Sequence, residues 1–182
     1  MAKNDHMKGF TLIELLIVIA ILGIIAAISP NIRQTMNNQR LKSAATNLYS
    51  RMQKARSEAI RLNTNIIINF TPGPFASGGR VGTYTVFNDN GDGPLAGGIA
   101  NNLIQDGTEA TLNNVAMPQD VSLISAAFSG GTTAAGFNSR GLPANSRIGN
   151  IVMRNDIRWY RISLSIAGNL NMQISRDGVN YN

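Results

Sequence analysis

The sequence predicts an α+β protein, a long N-terminal helical region followed by a β-rich head, and three observations predict it. An apolar run from Phe10 to Ile28 carries a single charge, Glu14. Behind it, Leu41, Ala45, Leu48, Met52, Ala55 and Ala59 recur at spacings of three and four, the signature of a helix with one buried face. From Asn63 onward, short runs of alternating apolar and polar residues are punctuated by Gly, Pro and Asn, the pattern of strands and turns. The chain divides accordingly into a polar leader (1–9), an apolar helix (10–28), an amphipathic stalk (29–62) and a head (63–182).

Composition removes much of the space of functions. With 182 residues the chain has room for one modest domain besides its apolar helix. It holds no Cys, so disulfides, thiolate metal sites and a lipid-anchored cysteine are excluded. Its single histidine, His6, lies in the leader. The sequence also lacks a Gly-x-Ser-x-Gly elbow, a Walker-type phosphate loop and a His-Glu-x-x-His helix, so it reads as no enzyme and no cofactor is expected. The formal charge of +6 resides in the stalk: Arg33, Arg40, Lys42, Arg51, Lys54, Arg56 and Arg61 face Glu58 alone, whereas seven Arg in the head meet seven acids.

The leader carries Lys3 and Lys8 against Asp5, which favours keeping this end in the cytoplasm and sending the head outward. A helix from Phe10 to Ile28 covers ~28 Å, close to the ~30 Å hydrocarbon core of a bilayer. Two rival readings are a secretory signal cut after Ala27-Ile28-Ser29 and a plain membrane anchor. The first is disfavoured because Pro30 would follow the cut. Within the helix Pro30 removes a donor and crowds the preceding turn, so a kink or local melting is expected there. Ala44 and Ile60 widen the apolar stripe of the stalk. In the head, Ile66–Phe70, Thr83–Phe87, Val121–Ile124, Ile148–Met153 and Trp159–Ile166 read as strands. Ser129–Gly136 reads as a loose loop, and a short apolar segment falls at Asn102–Gln105. The clearest hairpin turns at Ala167-Gly168-Asn169 and alternates back through Leu170, Met172 and Ile174.

Lys8-Gly9 followed by Phe10-Thr11-Leu12-Ile13-Glu14 and the apolar run resembles the N-terminus of type IV prepilins and type II secretion pseudopilins. Leu48–Phe70, Gly136-Phe137-Asn138-Ser139-Arg140-Gly141-Leu142-Pro143 and Ile174-Ser175-Arg176-Asp177-Gly178 extend the resemblance to the GspH/FimT-type minor pilins and pseudopilins. It implies a pilin-like fold, in which the C-terminal half of the long helix packs on an antiparallel β-sheet head. It also implies cleavage after Gly9 by a prepilin peptidase, N-methylation of Phe10, and extraction from the bacterial inner membrane into a filament by an assembly platform. The partners implied are other pilins or pseudopilins. Glu14 then has a role: an ion pair with the Phe10 amine of another subunit, because an unpaired carboxylate in a low-dielectric filament core costs several kcal/mol.

Two further constellations carry chemistry. Asn88, Asn90 and Asp92 place oxygen ligands at alternate positions before Gly93, as in the first half of a calcium loop. The twelfth position is Ile99 rather than a bidentate Glu, however, and such clusters are usually plain turns. In the last third, Arg140, Arg147, Arg158 and Arg161 are interleaved with Trp159 and Tyr160, a pattern that serves phosphate contact and base stacking. DNA binding by the head is therefore the alternative to a purely structural role, set against arginines that merely solubilise a sheet.

Overall fold

The computed structural model describes residues 10–91, 98–107 and 109–182, with the side chains of all of these except 27–31. One helix, α1, runs Leu12–Leu62. Thr11 caps its start: the Thr11 hydroxyl accepts the Glu14 N–H at 3.3 Å, and the Thr11 carbonyl accepts the N–H groups of Glu14 and Leu15. At the other end Asn63 adopts φ 53°, and the Thr64 and Asn63 N–H groups return to the Ala59 and Ile60 carbonyls. This is a Schellman closure with Asn in the left-handed position that Gly more often takes. Pro30 lies inside the helical span and does not end it; its ring falls outside the described side chains. The chain divides at Met36/Asn37 into an N-terminal helical unit and a unit that joins the rest of α1 to the head.

In the second unit nine strands are found among the described residues. They are β1 (Asn65–Thr71), β2 (Arg80–Val81), β3 (Thr83–Asp89), β4 (Thr111–Ala116), β5 (Val121–Phe128), β6 (Ala134–Phe137), β7 (Gly149–Arg154), β8 (Trp159–Leu164) and β9 (Leu170–Ser175). The expected antiparallel head is present, with its strands divided between two sheets. Sheet A has the order β4-β3-β1-β6, sheet B the order β2-β5-β7-β8-β9, and the short β2 pairs with β5 in parallel. Helix and sheets share one core. Leu41, Ala45, Leu48, Met52, Ala55 and Ala59 are all buried, as the stripe predicts, against Ile66, Ile68, Phe70 and Tyr84 of sheet A and Leu123, Ile151 and Ile162 of sheet B.

Ile60 departs from the expected stripe: it is 53% exposed, with its Cδ1 over the turn at Gly141. Residues 134–136, the end of the segment read as loop, form β6 with Phe137 and pair with β1. Ala-Ala-Gly-Phe carries no alternation because all four residues are buried. Gly136 is required there, since a Cβ would sit 2.2 Å from the Ile66 carbonyl oxygen. The expected apolar segment at 102–105 is a set of turns in which Leu103 (φ 66°) enters a small cluster with Ile67, Phe87, Ala134 and Ala144.

Polar contacts fix α1 on the head. The buried Asn155 donates from Nδ2 to Asn38 Oδ1 at 3.0 Å, while its Oδ1 accepts the N–H groups of Ile157 and Arg158. Arg51 donates to Asn113 Oδ1 at 2.6 Å, and Arg40 pairs with Asp120. Arg40 is 40% exposed, so that ion pair contributes ~0–1 kcal/mol, less than the burial of the apolar stripe beneath it. The Gly136 contact gives a test: Gly136→Ala should destabilise the head by about 2–3 kcal/mol in a urea melt of the full chain in detergent. A loss below about 0.5 kcal/mol would show that the β1–β6 contact is not close-packed.

Candidate assembly site

The N-terminal unit is defined by exposed apolar surface. From Leu12 through Ala26 every residue is exposed, from 82% at Leu12 to 48% at Val18, around the whole circumference of the helix. A helix apolar on all sides is stable only where something other than water surrounds it. Among the described residues no helix is long and apolar enough to cross a membrane; the described apolar side chains stop at Ala26. A Cβ at Gly23 would meet nothing within 4 Å among the described residues.

Phe10, 86% exposed, stands directly before the capping Thr11, and Gly9 lies outside the described residues. Glu14 is the third residue of the helix. Thr11-Leu12-Ile13-Glu14 thus has the Thr-x-x-Glu spacing of a capping box, and its Thr-to-backbone half is formed. This local role for Glu14 was legible in that spacing. The carboxylate also stands near the positive end of the helix dipole, worth ~0.3–1 kcal/mol.

The calcium expectation meets a different arrangement. Asn88 lies inside β3, opposite Ile66, rather than in a loop, and its buried Oδ1 has no hydrogen-bond partner among the described groups. Asp92 lies outside the described residues, and Asn90 has a partner. The nearby acids staple the segment after β3. Asp89 accepts the N–H groups of Asn101 and Leu103 at 2.7 and 2.9 Å, Glu109 accepts those of Gly91 and Asp106, and Asp106 accepts that of Ile99. Among the described residues no group of three or more His, Cys, Asp or Glu could hold a metal.

The four arginines named for DNA contact are distributed over different elements. Arg140 sits in the turn after β6, where Asn138 Oδ1 accepts the N–H groups of Arg140 and Leu142. Arg147 follows the 3-10 turn Ala144–Ser146. Arg158 and Arg161 belong to the β7–β8 corner and β8. Arg161 lies 4.0 Å over the Tyr181 ring and donates to Gln173 Oε1 at 2.8 Å. Arg154, not among the four, is held between Phe75 and Trp159, 3.8 and 4.0 Å from their centroids. Each such stack is worth ~0.5–1 kcal/mol at an exposed site. Arg158 and Arg176 share a hollow with Asp177 and Asn180. Asp177 accepts from the Ser175 hydroxyl (2.6 Å), the Val179 and Asn180 N–H groups (2.9 Å each) and Asn180 Nδ2 (2.7 Å). These donors, Ser175 first, hold its carboxyl well below the usual carboxylate range.

An exposed helix end that is apolar but for Glu14, followed by an amphipathic half laid on a β head, is the architecture of a pilin. The comparisons agree. A prokaryotic N-terminal methylation motif matches residues 5–29, and the type II transport protein GspH family matches residues 44–168. The chain belongs to the GspH family. It is a structural minor subunit of a type IV pilus or a type II secretion pseudopilus, of a membrane-anchored class that assembles with other pilins after prepilin processing. Two crystal structures of the type IV minor pilin FimU from Pseudomonas aeruginosa (strain PAO1) are similar to it, each with a TM-score of 0.47. One is 18% identical over 72% of this chain and 91% of that one; the other is 17% identical over 74% and 89%. No curated protein matches the chain.

The Asp177 turn sets a pH dependence. Its folded pKa lies below the ordinary value of 3.8, so its stabilising effect is complete above that value and is lost as pH falls through the folded one. Slow hydrogen exchange at Val179 and Asn180 should therefore persist at pH 5 and weaken below about pH 4. In Asp177→Asn it should be weak at both. Unchanged protection in the variant would show that the carboxylate does not organise the turn.

Proposed function

We propose that the chain is cut after Gly9 and methylated on Phe10, and that a prepilin peptidase performs the cut. It then waits as a single-pass protein of the bacterial inner membrane, with residues 10–28 in lipid and the head in the periplasm. An assembly platform next draws it into the filament, where the same helix end joins a bundle of its counterparts from other pilins or pseudopilins. The observation that supports this most is the all-round exposure of Leu12–Ala26 with Glu14 as its single charge. Lipid and a helical bundle are both apolar, so the segment passes from one to the other at little cost in solvation. Pro30 supplies the place where the helix bends or loosens on that passage.

Glu14 supplies register. Its place near the positive end of the helix dipole contributes less than about 1 kcal/mol, whereas a carboxylate left unpaired in the apolar bundle costs several. The cut that creates the Phe10 amine also creates the partner. The pair forms when the amine of one subunit reaches Glu14 of the next, and that distance fixes the axial step. A second reading, DNA binding, is supported by the arginine–aromatic stacks at Arg154 and Arg161.

Edman sequencing of the mature protein should begin at Phe10; a start at Pro30 would mean an ordinary secretory signal. Glu14→Val should leave cleavage and head folding intact and abolish recovery of the subunit in sheared filaments, and normal recovery would remove the ion pair from the account. For the second reading, a mobility shift at low salt should be weakened by Arg158→Ala and Arg161→Ala. Absence of any shift would end that reading.

A further inference from the structure

We propose that the groove between α1 and the edge strand β4 is a docking surface for an extended, acidic peptide segment of a partner chain, which adds to sheet A as a fifth strand. The proposal stands on the second unit alone and does not require the filament reading.

Among the described residues β4 is paired on one side only, with β3. The ladder tells which of its backbone groups face the open side. Met117 donates to the Gly82 carbonyl and Asn88 to that of Ala110, and the register sets Val115 opposite Tyr84 and Asn113 opposite Val86. Hydrogen-bonded positions alternate along an antiparallel pair, so Asn114 and Ala116 turn their N–H and C=O groups away from β3. Edge strands are ordinarily protected by Lys, Pro or a covering segment. β4, Thr-Leu-Asn-Asn-Val-Ala, contains neither a charge nor a proline. The far edge of sheet B is treated differently: the Ile174 N–H and carbonyl are both taken by Asn182, at 3.0–3.1 Å. At β6, Phe137 is bridged by Pro143.

Two clefts line up along the same flank of α1, beside this edge. One, of about 230 Å³, has apolar walls from Ala55, Leu62, Val86 and Leu112; the other, of about 310 Å³, lies between Ala44, Tyr84, Val115 and Met117. A fifth strand would lie over them and send alternate side chains down onto the helix. The charges it would meet there are positive. Arg61 is paired with Glu58, and Arg40 with Asp120. Arg51 bonds the neutral Asn113, and no carboxylate among the described residues pairs with Arg51 or Lys54. Main-chain bonding to the edge would supply affinity, and carboxylates over Arg51 and Lys54 would supply selectivity. A second copy of β4 fits poorly, because it has no acid and would bring two cationic flanks together.

The test uses the full-length chain in detergent and a labelled peptide, Thr-Glu-Val-Glu-Val-Glu-Thr, with its Lys-for-Glu counterpart. Anisotropy should show the acidic peptide binding at least about tenfold more tightly at low salt, with the preference shrinking as salt rises. The amides of Asn114 and Ala116 should become protected from hydrogen exchange. Asn114→Pro removes an outward N–H and leaves the β3 ladder, while Lys54→Glu alters no backbone group; each should weaken binding about fivefold or more. Equal affinity for the two peptides, no binding at low salt, protection elsewhere, indifference to Lys54→Glu, or dimerisation through β4 in place of peptide uptake would each overturn the proposal.

Discussion

The burial of one narrow face of α1 against both sheets is the constraint on which the head depends. Ala44, Ala45, Ala55 and Ala59 keep that face low, so the helix lies close to the sheets, and Leu41, Leu48 and Met52 fill the space between them. Each sheet buries its apolar face against the helix and the other sheet, so neither has a core of its own. With the helix in place, sheet A contributes Ile66, Ile68 and Tyr84 to the same core as Leu123 and Ile151 of sheet B. Asn155, Arg51 and Arg40 then set the position of the helix along its axis, through contacts that are directional but individually weak.

One continuous helix therefore carries two kinds of surface. Its C-terminal half has a single buried stripe and charged flanks, and is soluble because the head covers the stripe. Its N-terminal end has no such asymmetry, and nothing in the second unit is needed to explain its sequence. The assembly proposed above accounts for this division of labour, since it would use the end of α1 that the head does not need for folding. Glu14 is where the two surfaces meet: it sits in the first turn, where a carboxylate suits a helix, and in an apolar segment, where the proposed ion pair would offset its charge.

Much of this was legible in the sequence, for physical reasons that differ between elements. The helix was, because an apolar stripe at a 3.6-residue period matches a helix and no strand. The β8–β9 hairpin was, because Ile162, Leu164, Leu170 and Met172 alternate on either side of a Gly turn. β6 was not, because a strand buried on both faces shows no alternation. β4 was hidden for the opposite reason: an exposed edge places little demand on its side chains. The split into two sheets depends on long-range pairing, which leaves no local trace. At the assembly end, Gly9, Phe10 and Glu14 stand out through the resemblance, and the cap at Thr11 is written in its spacing from Glu14. The arginine stacks were half legible: Trp159 stands among basic residues in the chain, but Phe75 comes from a distant loop. The Asp177 turn is implicit in Ser-Arg-Asp-Gly alone.

Everything at the assembly end turns on whether the exposed apolar end of α1 becomes part of a helical bundle. A photo-crosslinking amino acid in place of Ile17, with adducts from sheared filaments mapped by mass spectrometry, tests this directly. Adducts to the N-terminal helices of other filament subunits are predicted. Adducts confined to lipid, or to the head domains of neighbouring proteins, would contradict a bundled helix end.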